Sequence, residues 1–175
     1  EKVPKHLPLA VKTSPLNHEE IVAYFQKNSY FGLDIHFFQQ EIAPFLNEQK
    51  TPIDRYGPIG NGNVFRSFVK GGLVELFAKK GIDFVTVTNI DNPLSHPFDP
   101  LLIARVQNAD VAVQCVEREP NDHSMGVLVE KEGLLQVTEY TELDPANAYK
   151  YAYSGQLAFR FSFFCQMAAV DLPIH

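Results

Sequence analysis

The sequence predicts an α/β fold with a Rossmann-like, mixed but mostly parallel sheet and helices on both faces. First, a strand, a helix and a second strand follow one another over residues 7–40, which is the βαβ order of a parallel sheet. Second, a glycine-bracketed helix leads into an apolar strand over 84–90, which is typical of a parallel strand covered on both faces. Third, 175 residues, 45% of them hydrophobic, suffice for one domain with its own core.

The first part of the chain supplies the opening βαβ unit and a connection. We expect a strand over 7–13, a helix that Asn17 can cap, and a strand over 35–40. Residues 41–50 could form a short helix, and 51–56 are interpreted as a connector.

A longer helix is predicted over 64–80. Its apolar residues recur at spacings of three and four: Val64, Phe65, Phe68, Val69, Leu73, Leu76 and Phe77. Asn63 suits the N-cap, and Gly81 suits a left-handed C-cap. The Gly71-Gly72 pair disfavours an unbroken helix by about 1 kcal/mol for each glycine. We therefore expect close packing or a bend at that pair.

The second part of the chain alternates strands with one helix before an apolar tail. In chain order the patterns predict a strand over 84–90, a loop over 93–100, a helix that Asp99-Pro100 begins, a strand over 111–117 and a hairpin around Glu132-Gly133. The tail, 157–170, is apolar and aromatic, and its pattern does not choose between strand and helix.

Composition and charge exclude several kinds of partner. A formal net charge of -6 leaves no basic face for a phosphate backbone, so we expect no nucleic-acid partner. No apolar run reaches the ~18 residues of a membrane span, so we expect no membrane partner. Cys115 and Cys165 lie in apolar contexts without paired spacing, which predicts reduced, buried thiols in a cytoplasmic protein. No spacing of histidines and cysteines fits zinc.

The two ends of the sequence favour a segment of a longer protein. The chain starts at Glu1 rather than Met, and it stops at His175 just after an apolar run. We therefore expect a domain that is truncated at both ends.

The glycine turn, residues 58–62 with the sequence Pro-Ile-Gly-Asn-Gly, has two interpretations. It is not a dinucleotide fingerprint, because Phe65 stands where the third glycine would fall, and the chain contains no Walker motif. It is either a simple tight turn or a place where Gly60 lets the backbone approach a planar base, with Asn61 offering a donor and an acceptor. Gln40, at a strand end, is either a surface residue or an amide that reads a base edge.

Two carboxylates also have both a structural and a functional interpretation. Asp91 follows the apolar strand, where it either caps a turn or holds a divalent cation near phosphate, since Mg²⁺ takes one or two carboxylates plus substrate oxygens. Glu139 is either an outward strand residue or an acceptor for a sugar hydroxyl. Residues 122–124, Asp-His-Ser, are interpreted as a loop, because adjacent residues cannot align as a catalytic triad.

Several short motifs occur in the order found in one enzyme family. They are the strand 9–14, Tyr24-Phe25 through Tyr30-Phe31-Gly32, Phe37-Phe38-Gln39-Gln40, Pro58-Ile59-Gly60-Asn61-Gly62, Ile90-Asp91-Asn92-Pro93-Leu94, Asp99-Pro100, Met125-Gly126-Val127 and Thr138-Glu139-Tyr140-Thr141-Glu142-Leu143. Together they resemble the UDP-sugar pyrophosphorylases, the UTP:sugar-1-phosphate uridylyltransferases, and most closely the UDP-N-acetylhexosamine branch. The resemblance covers nearly the whole chain.

The resemblance implies a role for each of six residues. Gln40, Gly60 and Asn61 would bind the uracil of the nucleotide. Asp91 would be the catalytic residue that holds Mg²⁺ near the α-phosphate. Gly126 and Glu139 would contact the sugar.

The resemblance also implies the reaction and the extent of the segment. Residues 1–175 would be the central part of a nucleotidyltransferase domain that forms a UDP-sugar and pyrophosphate from UTP and a sugar 1-phosphate. The family's triphosphate-binding loop and its later lysine are not found in this sequence, so we expect the isolated segment to turn over poorly or not at all.

The sequence also departs from the family pattern at three places. Ile59 replaces an acidic residue or proline, Lys12 stands where methionine is common, and an Asn-x-Gly-Asn motif is not recognisable at 159–163. These departures motivate the alternative that the chain is an inactive or regulatory UDP-sugar-binding module.

Overall fold

The computed structural model describes residues 7–119, 125–144 and 147–172, and these residues form two compact units. Unit 1 comprises the described residues up to Ile82 together with those from Ser162 onward. Unit 2 comprises those from Asp83 to Phe161. A mixed α/β fold is therefore confirmed, and each unit has strands of its own.

Unit 1 begins with the predicted βαβ unit. Strand β1 (Pro8–Thr13) pairs in parallel with β2 (Asp34–Gln39), and helix α1 (His18–Lys27) connects them. Asn17 precedes α1 but does not cap it, because its Oδ1 accepts hydrogen bonds from the backbone N–H and the hydroxyl of Ser14. Its side chain therefore closes the turn before the helix.

The helix expected over 41–50 is wrong, since this stretch begins an antiparallel hairpin. Strand β3 (Ile42–Leu46) pairs with β4 (Pro52–Pro58). Asn47 closes the turn between them, because its Oδ1 accepts from the backbone N–H groups of Gln49 and Thr51 at 3.1 and 2.8 Å. Asparagine side chains commonly replace a backbone acceptor in this way, and the turn chemistry outweighs the weak helical pattern.

The predicted helix over 64–80 is present as two helices with a bend between them. Helix α2 (Val64–Lys70) ends before Gly71-Gly72, and α3 (Leu73–Lys79) follows. Gly72 has a φ of 72°, and a Cβ at position 71 would lie 2.8 Å from the Cβ of Phe38. Both the bend and the close packing are thus confirmed, and Gly81 has the expected left-handed φ of 69°.

Aromatic side chains form the core of unit 1. Phe68 is 3% exposed and makes edge-to-face contacts with three other rings at centroid distances of 5.0–5.6 Å; these rings belong to Phe38, Phe77 and Phe164. Such pairs contribute about 0.5–1.5 kcal/mol each beyond the area that they bury. Phe164 lies in α5 (Phe161–Gln166) and contacts Phe65 as well as Phe68, so the apolar tail packs against α2.

Unit 2 is organised around a long strand whose residue range the sequence patterns did not predict. The 157–170 tail is strand and then helix: β9 (Tyr151–Arg160) runs antiparallel to β5 (Phe84–Thr88) and to β6 (Val111–Glu117). Strands β7 (Val127–Lys131) and β8 (Leu134–Thr138) form the predicted hairpin, with φ of 55° and 78° at Glu132 and Gly133.

The sheet of unit 2 does not have the expected parallel pairing. Among the strand pairs of the described residues, only β1 with β2 is parallel, so the mostly parallel, Rossmann-like sheet is not confirmed. The physical reason lies in β9. Strands β5 and β6 both run antiparallel to β9, so they point in the same direction. Each of them is hydrogen-bonded to β9, and the two therefore do not form a parallel pair with each other.

Helix α4 (Pro100–Val106) completes unit 2 and begins as predicted. Asp99 Oδ1 accepts hydrogen bonds from the backbone N–H groups of Leu101 and Leu102, and Pro100 occupies the first turn. The buried side chains of Leu102 and Val106 pack with Ala158 of β9. The described helices include none that is long and apolar enough to cross a membrane.

The two cysteines are free, and each is half-buried rather than fully buried as predicted. Burial raises the pKa of the Cys115 thiol and that of the Cys165 thiol. Both therefore favour the uncharged thiol form.

Candidate functional site

The glycine turn of unit 1 leaves its backbone accessible. Gly60 has a φ of 96° and a ψ of -173°, a conformation that a side chain would strain. Apart from its chain neighbours, no atom of the described residues lies within 4 Å of where a Cβ at this position would stand. A planar group could therefore approach the backbone at Gly60 without displacing a side chain.

The structure brings Gln40 to this turn. Gln40 follows β2 and donates its backbone N–H to the carbonyl oxygen of Thr13 at 2.8 Å. The next residue, Glu41, accepts a hydrogen bond from the backbone N–H of Ile59 at 3.3 Å. The end of β2 thus lies against the residue that precedes Gly60, and Asn61 follows in an exposed single 3₁₀ turn, Asn61–Asn63.

Gln40 has a buried polar atom without a hydrogen bond. Its Oε1 is buried and has no hydrogen-bond partner among the described residues. A buried acceptor without a donor costs about 1–3 kcal/mol, so such an atom is a natural place for a ligand's N–H group. This supports the base-reading interpretation of Gln40 over the surface interpretation.

Lys12 is a further residue at the glycine turn, which no motif identified as part of the site. Its Nζ donates a hydrogen bond to the carbonyl oxygen of Gly60 at 2.9 Å. Burial lowers the pKa of the Lys12 ammonium group. Two sequence signals could have pointed to it: a lysine within the apolar strand β1, and the departure from the family pattern at this position.

In unit 2, Asp91 lies at a cleft three residues after the end of β5. The cleft has a volume of about 540 Å³ and is lined by Asp91, Asn92, Pro93, Leu94, Gln114, Val116, Met125 and Ser154; we call it the Asp91 cleft. The side chain of Asp91 is exposed and makes no hydrogen bond or ion pair with any described residue. Its carboxylate is therefore available to a ligand.

The loop that carries Asp91 is anchored to β9 by side-chain amides. Asn92 Nδ2 donates to the carbonyl oxygen of Ser154 at 2.9 Å. Gln156 is fully buried, and its Oε1 accepts from the backbone N–H of His96 at 3.2 Å while its Nε2 donates to the His96 carbonyl oxygen. Sequence patterns missed Gln156, because its partner is 60 positions away.

The donors at the Asp91 cleft fit a magnesium site with one protein carboxylate. Asn92 and Gln114 also line the cleft, but their amide oxygens already accept hydrogen bonds, from the backbone N–H of Leu94 at 3.1 Å and from the hydroxyl of Ser154 at 3.0 Å. Within the described ranges no group of three or more histidines, cysteines and acidic residues could hold a metal by itself. Mg²⁺ keeps several waters and commonly uses one carboxylate together with phosphate oxygens of a substrate.

Gly126 and Glu139, the two predicted sugar residues, are neighbours in the structure. A Cβ at position 126 would lie 3.3 Å from Val137 Cγ1 and 4.0 Å from Glu139 Oε1. A side chain at position 126 would therefore be tight against Val137. Residues 122–124, the apparent triad, lie outside the described residues.

Tyr153 of β9 joins this pair. It donates its backbone N–H to the Gly126 carbonyl oxygen at 2.8 Å. Burial, with smaller contributions from Cys115 and Glu139, raises the pKa of Tyr153 to about 12. The stretch from Tyr153 to Gln156 reads Tyr-Ser-Gly-Gln, and its Gly155 has a left-handed φ of 81°.

Comparisons with known proteins agree with the motifs on which the resemblance rests. The family model described as UTP–glucose-1-phosphate uridylyltransferase matches residues 1–159. The chain therefore belongs to this family of UDP-sugar pyrophosphorylases.

Individual relatives point to one branch of the family. UDP-N-acetylglucosamine diphosphorylase 2 of Arabidopsis thaliana is 33% identical over 151 residues, which is 79% of this chain and 30% of the plant protein. The human UDP-N-acetylhexosamine pyrophosphorylase-like protein 1 is 28% identical over 91% of this chain and 34% of its own length. The chain thus spans about a third of the curated relatives that it matches.

A solved structure shows the same fold. The uridine diphosphate N-acetylglucosamine pyrophosphorylase of Trypanosoma brucei, crystallised with an inhibitor, superposes with a TM-score of 0.79 and 30% identity. The match covers 91% of this chain and 36% of the trypanosomal chain.

Proposed function

We propose that this chain is the part of a UTP:sugar-1-phosphate uridylyltransferase that binds the uridine nucleotide and the sugar. The reaction is an in-line displacement: an oxygen of the sugar 1-phosphate bonds to the α-phosphorus of UTP, the bond from that phosphorus to the bridging oxygen breaks, and pyrophosphate leaves. Such a reaction depends on positioning and charge neutralisation more than on proton transfer. The products are a UDP-sugar and pyrophosphate.

The convergence of Gln40 with Gly60 carries this proposal. These residues belong to stretches 20 positions apart, and the backbone contact between Glu41 and Ile59 places them side by side. Uracil presents an N3–H donor between two carbonyl acceptors, and the free Oε1 of Gln40 is the complementary acceptor. Asn61, at the same turn, offers a further donor and acceptor.

The residues of unit 2 have separate roles in the proposal. Asp91 would hold Mg²⁺ together with water and phosphate oxygens of the substrate, and the ion neutralises phosphate charge when it is bound. Gly126 provides room beside the sugar, and the Glu139 carboxylate accepts hydrogen bonds from sugar hydroxyl groups. The names of the matched relatives favour an N-acetylated hexosamine as that sugar. They give no support to an inactive binding module.

A calorimetric titration tests the proposed ligand class. The native chain is titrated with UDP-N-acetylglucosamine, UDP-glucose and ADP-glucose, each with and without Mg²⁺. We expect binding of the uridine compounds, tighter for the N-acetylated sugar, and about tenfold weaker binding in Asn61→Ala. Asn108→Ala, in the other unit, is the matched control. Equal affinity for ADP-glucose would contradict the proposal.

Activity assays test the expected extent of the catalytic machinery. We expect the isolated chain to catalyse pyrophosphorolysis of a UDP-sugar poorly or not at all. Rapid turnover by residues 1–175 alone would show that the residues identified here are sufficient for catalysis.

A further inference from the structure

Lys12 is a cation whose position the proposed function does not yet explain. It lies in β1, one residue before Thr13, whose carbonyl oxygen holds the backbone of Gln40. With the described residues its ammonium group makes one hydrogen bond, to the carbonyl oxygen of Gly60. Lys12 therefore stands beside both Gln40 and Gly60, the two residues that we assign to the uracil.

The Lys12 ammonium group has unused capacity for hydrogen bonds. An ammonium group has three N–H donors, and the bond to Gly60 uses one of them. No carboxylate of the described residues lies within 4.0 Å of the Lys12 Nζ. A half-buried cation without a counter-ion carries a desolvation cost, which agrees with the lowered pKa of this lysine.

A purely structural role would not require a charge at this position. A lysine that only fastens the glycine turn loses hydration and gains one hydrogen bond, and an apolar residue would avoid the cost of burying an ammonium group. A ligand acceptor for the remaining donors would account for the charge.

We propose that Lys12 is a specificity-determining residue of the uridine site, where its ammonium group donates a hydrogen bond to the O4 carbonyl of uracil. This inference rests on the proposed function. Together, Lys12 as donor and Gln40 Oε1 as acceptor match the carbonyl and the N3–H of uracil. Cytosine has an amino group at position 4 and no hydrogen on N3, so it would oppose both groups.

The test compares uridine 5′-monophosphate, cytidine 5′-monophosphate and uridine as ligands of the native chain and of Lys12→Met. Native protein is expected to prefer the uridine nucleotide. In Lys12→Met we expect the preference for uridine over cytidine monophosphate to fall by about 10- to 100-fold, which is the range for a hydrogen bond to a charged group. Affinity for uridine, which has no phosphate, should fall by the same factor as affinity for uridine monophosphate.

Two further variants serve as controls. Lys12→Arg keeps the charge and should retain part of the base preference. Lys27→Met removes an exposed lysine of α1 and should leave every affinity unchanged. Lys12→Met should also unfold at the same urea concentration as native protein or higher, because it removes a half-buried charge; this shows that the altered affinity does not come from unfolding.

The possible outcomes distinguish this inference from the proposed function. If Lys12→Met weakens both monophosphates equally and leaves uridine unaffected, Lys12 contacts phosphate and the inference is wrong. If all affinities are unchanged, Lys12 only fastens the turn and the inference is again wrong, while the proposed function stands. Native protein that binds no uridine compound would overturn both.

Discussion

The glycine turn in unit 1 and the Asp91 cleft in unit 2 present polar groups in opposite ways. At the glycine turn the polar atoms next to Gly60 are only partly satisfied: Lys12 has donors to spare, and Gln40 Oε1 has no partner. At the cleft the amides of Asn92 and Gln156 are engaged with the backbone, and the Asp91 carboxylate bonds no described residue.

This difference corresponds to two kinds of recognition. A base is read by several donors and acceptors at fixed positions, and each of them must be unpaired until the base arrives. A metal-binding carboxylate has to be held in one position. Neighbouring side chains hold it there when all of their own polar groups are hydrogen-bonded. Removing a side chain that supports the binding residues should therefore lower the free energy of unfolding more at the Asp91 cleft than at the glycine turn.

The largest expected effect is on the support of the cleft. Gln156→Ala should lower the free energy of unfolding by about 2–4 kcal/mol, because it removes two hydrogen bonds, leaves the His96 backbone groups without a partner and creates a cavity. Urea denaturation followed by circular dichroism measures the change. Gln136→Ala, on the exposed strand β8, is the matched control and should stay within about 0.5 kcal/mol of native protein. Equal stability of the two variants would contradict the anchoring role of Gln156.

The next effect concerns the free carboxylate. Asp91→Asn should reduce the Mg²⁺-dependent part of the affinity for a UDP-sugar by at least about tenfold, because an amide is a weaker ligand for a hard cation than a carboxylate is. Titrations in Mg²⁺ and in a chelator measure this part. Stability should be unchanged, since Asp91 bonds no described residue.

Asp99→Asn is the control for Asp91→Asn. It makes the same change of charge in the same unit but keeps a helix cap, because asparagine also caps helices well. A loss of Mg²⁺-dependent affinity as large in Asp99→Asn as in Asp91→Asn would show that net charge alone is responsible.

The smallest effect is a pH dependence at Tyr153. The pKa of this tyrosine is raised from 10.0 to about 12, so on alkaline titration the unfolded chain loses the phenolic proton first. The stability that this shift contributes is complete below pH 10 and is lost as the pH rises towards 12. Because solvent screens this partly exposed group, the decrease should be at most about 0.8 kcal/mol between about pH 8.5 and 10.5. Tyr153→Phe should remove this decrease, and Tyr56→Phe, at an exposed tyrosine, should retain it. An unchanged slope in Tyr153→Phe would show that other groups cause the decrease.

Local chemistry made part of this structure predictable. The cap at Asp99, the turn at Glu132-Gly133 and the bend at Gly71-Gly72 each depend on residues within a few positions of one another, and all three are confirmed. The hairpin of β3 and β4 was missed, although Asn47 gave a local signal for its turn.

What depends on distant partners could not be predicted. Strand β9 acquires its position from pairing with β5 and β6, which lie far earlier in the chain. For the same reason motif comparison gave Gly60 a role at the uracil but noted Lys12 only as a departure from the family pattern, because Lys12 lies 48 positions earlier and meets Gly60 only in the folded chain. The assignment of ligands to Gln40, Asn61, Asp91, Gly126 and Glu139 stays a prediction.

The most direct test of the account uses two fragments of the expected product. Backbone amide signals are followed by nuclear magnetic resonance while the chain is titrated with uridine 5′-monophosphate and, separately, with N-acetylglucosamine 1-phosphate and Mg²⁺. We predict that the uridine compound shifts the signals of Gln40 and residues 59–62, and that the sugar phosphate shifts those of residues 91–92, 126 and 139. Shifts of the same residues by both fragments, or of neither set by either fragment, would contradict the assignment of base and sugar to these two regions.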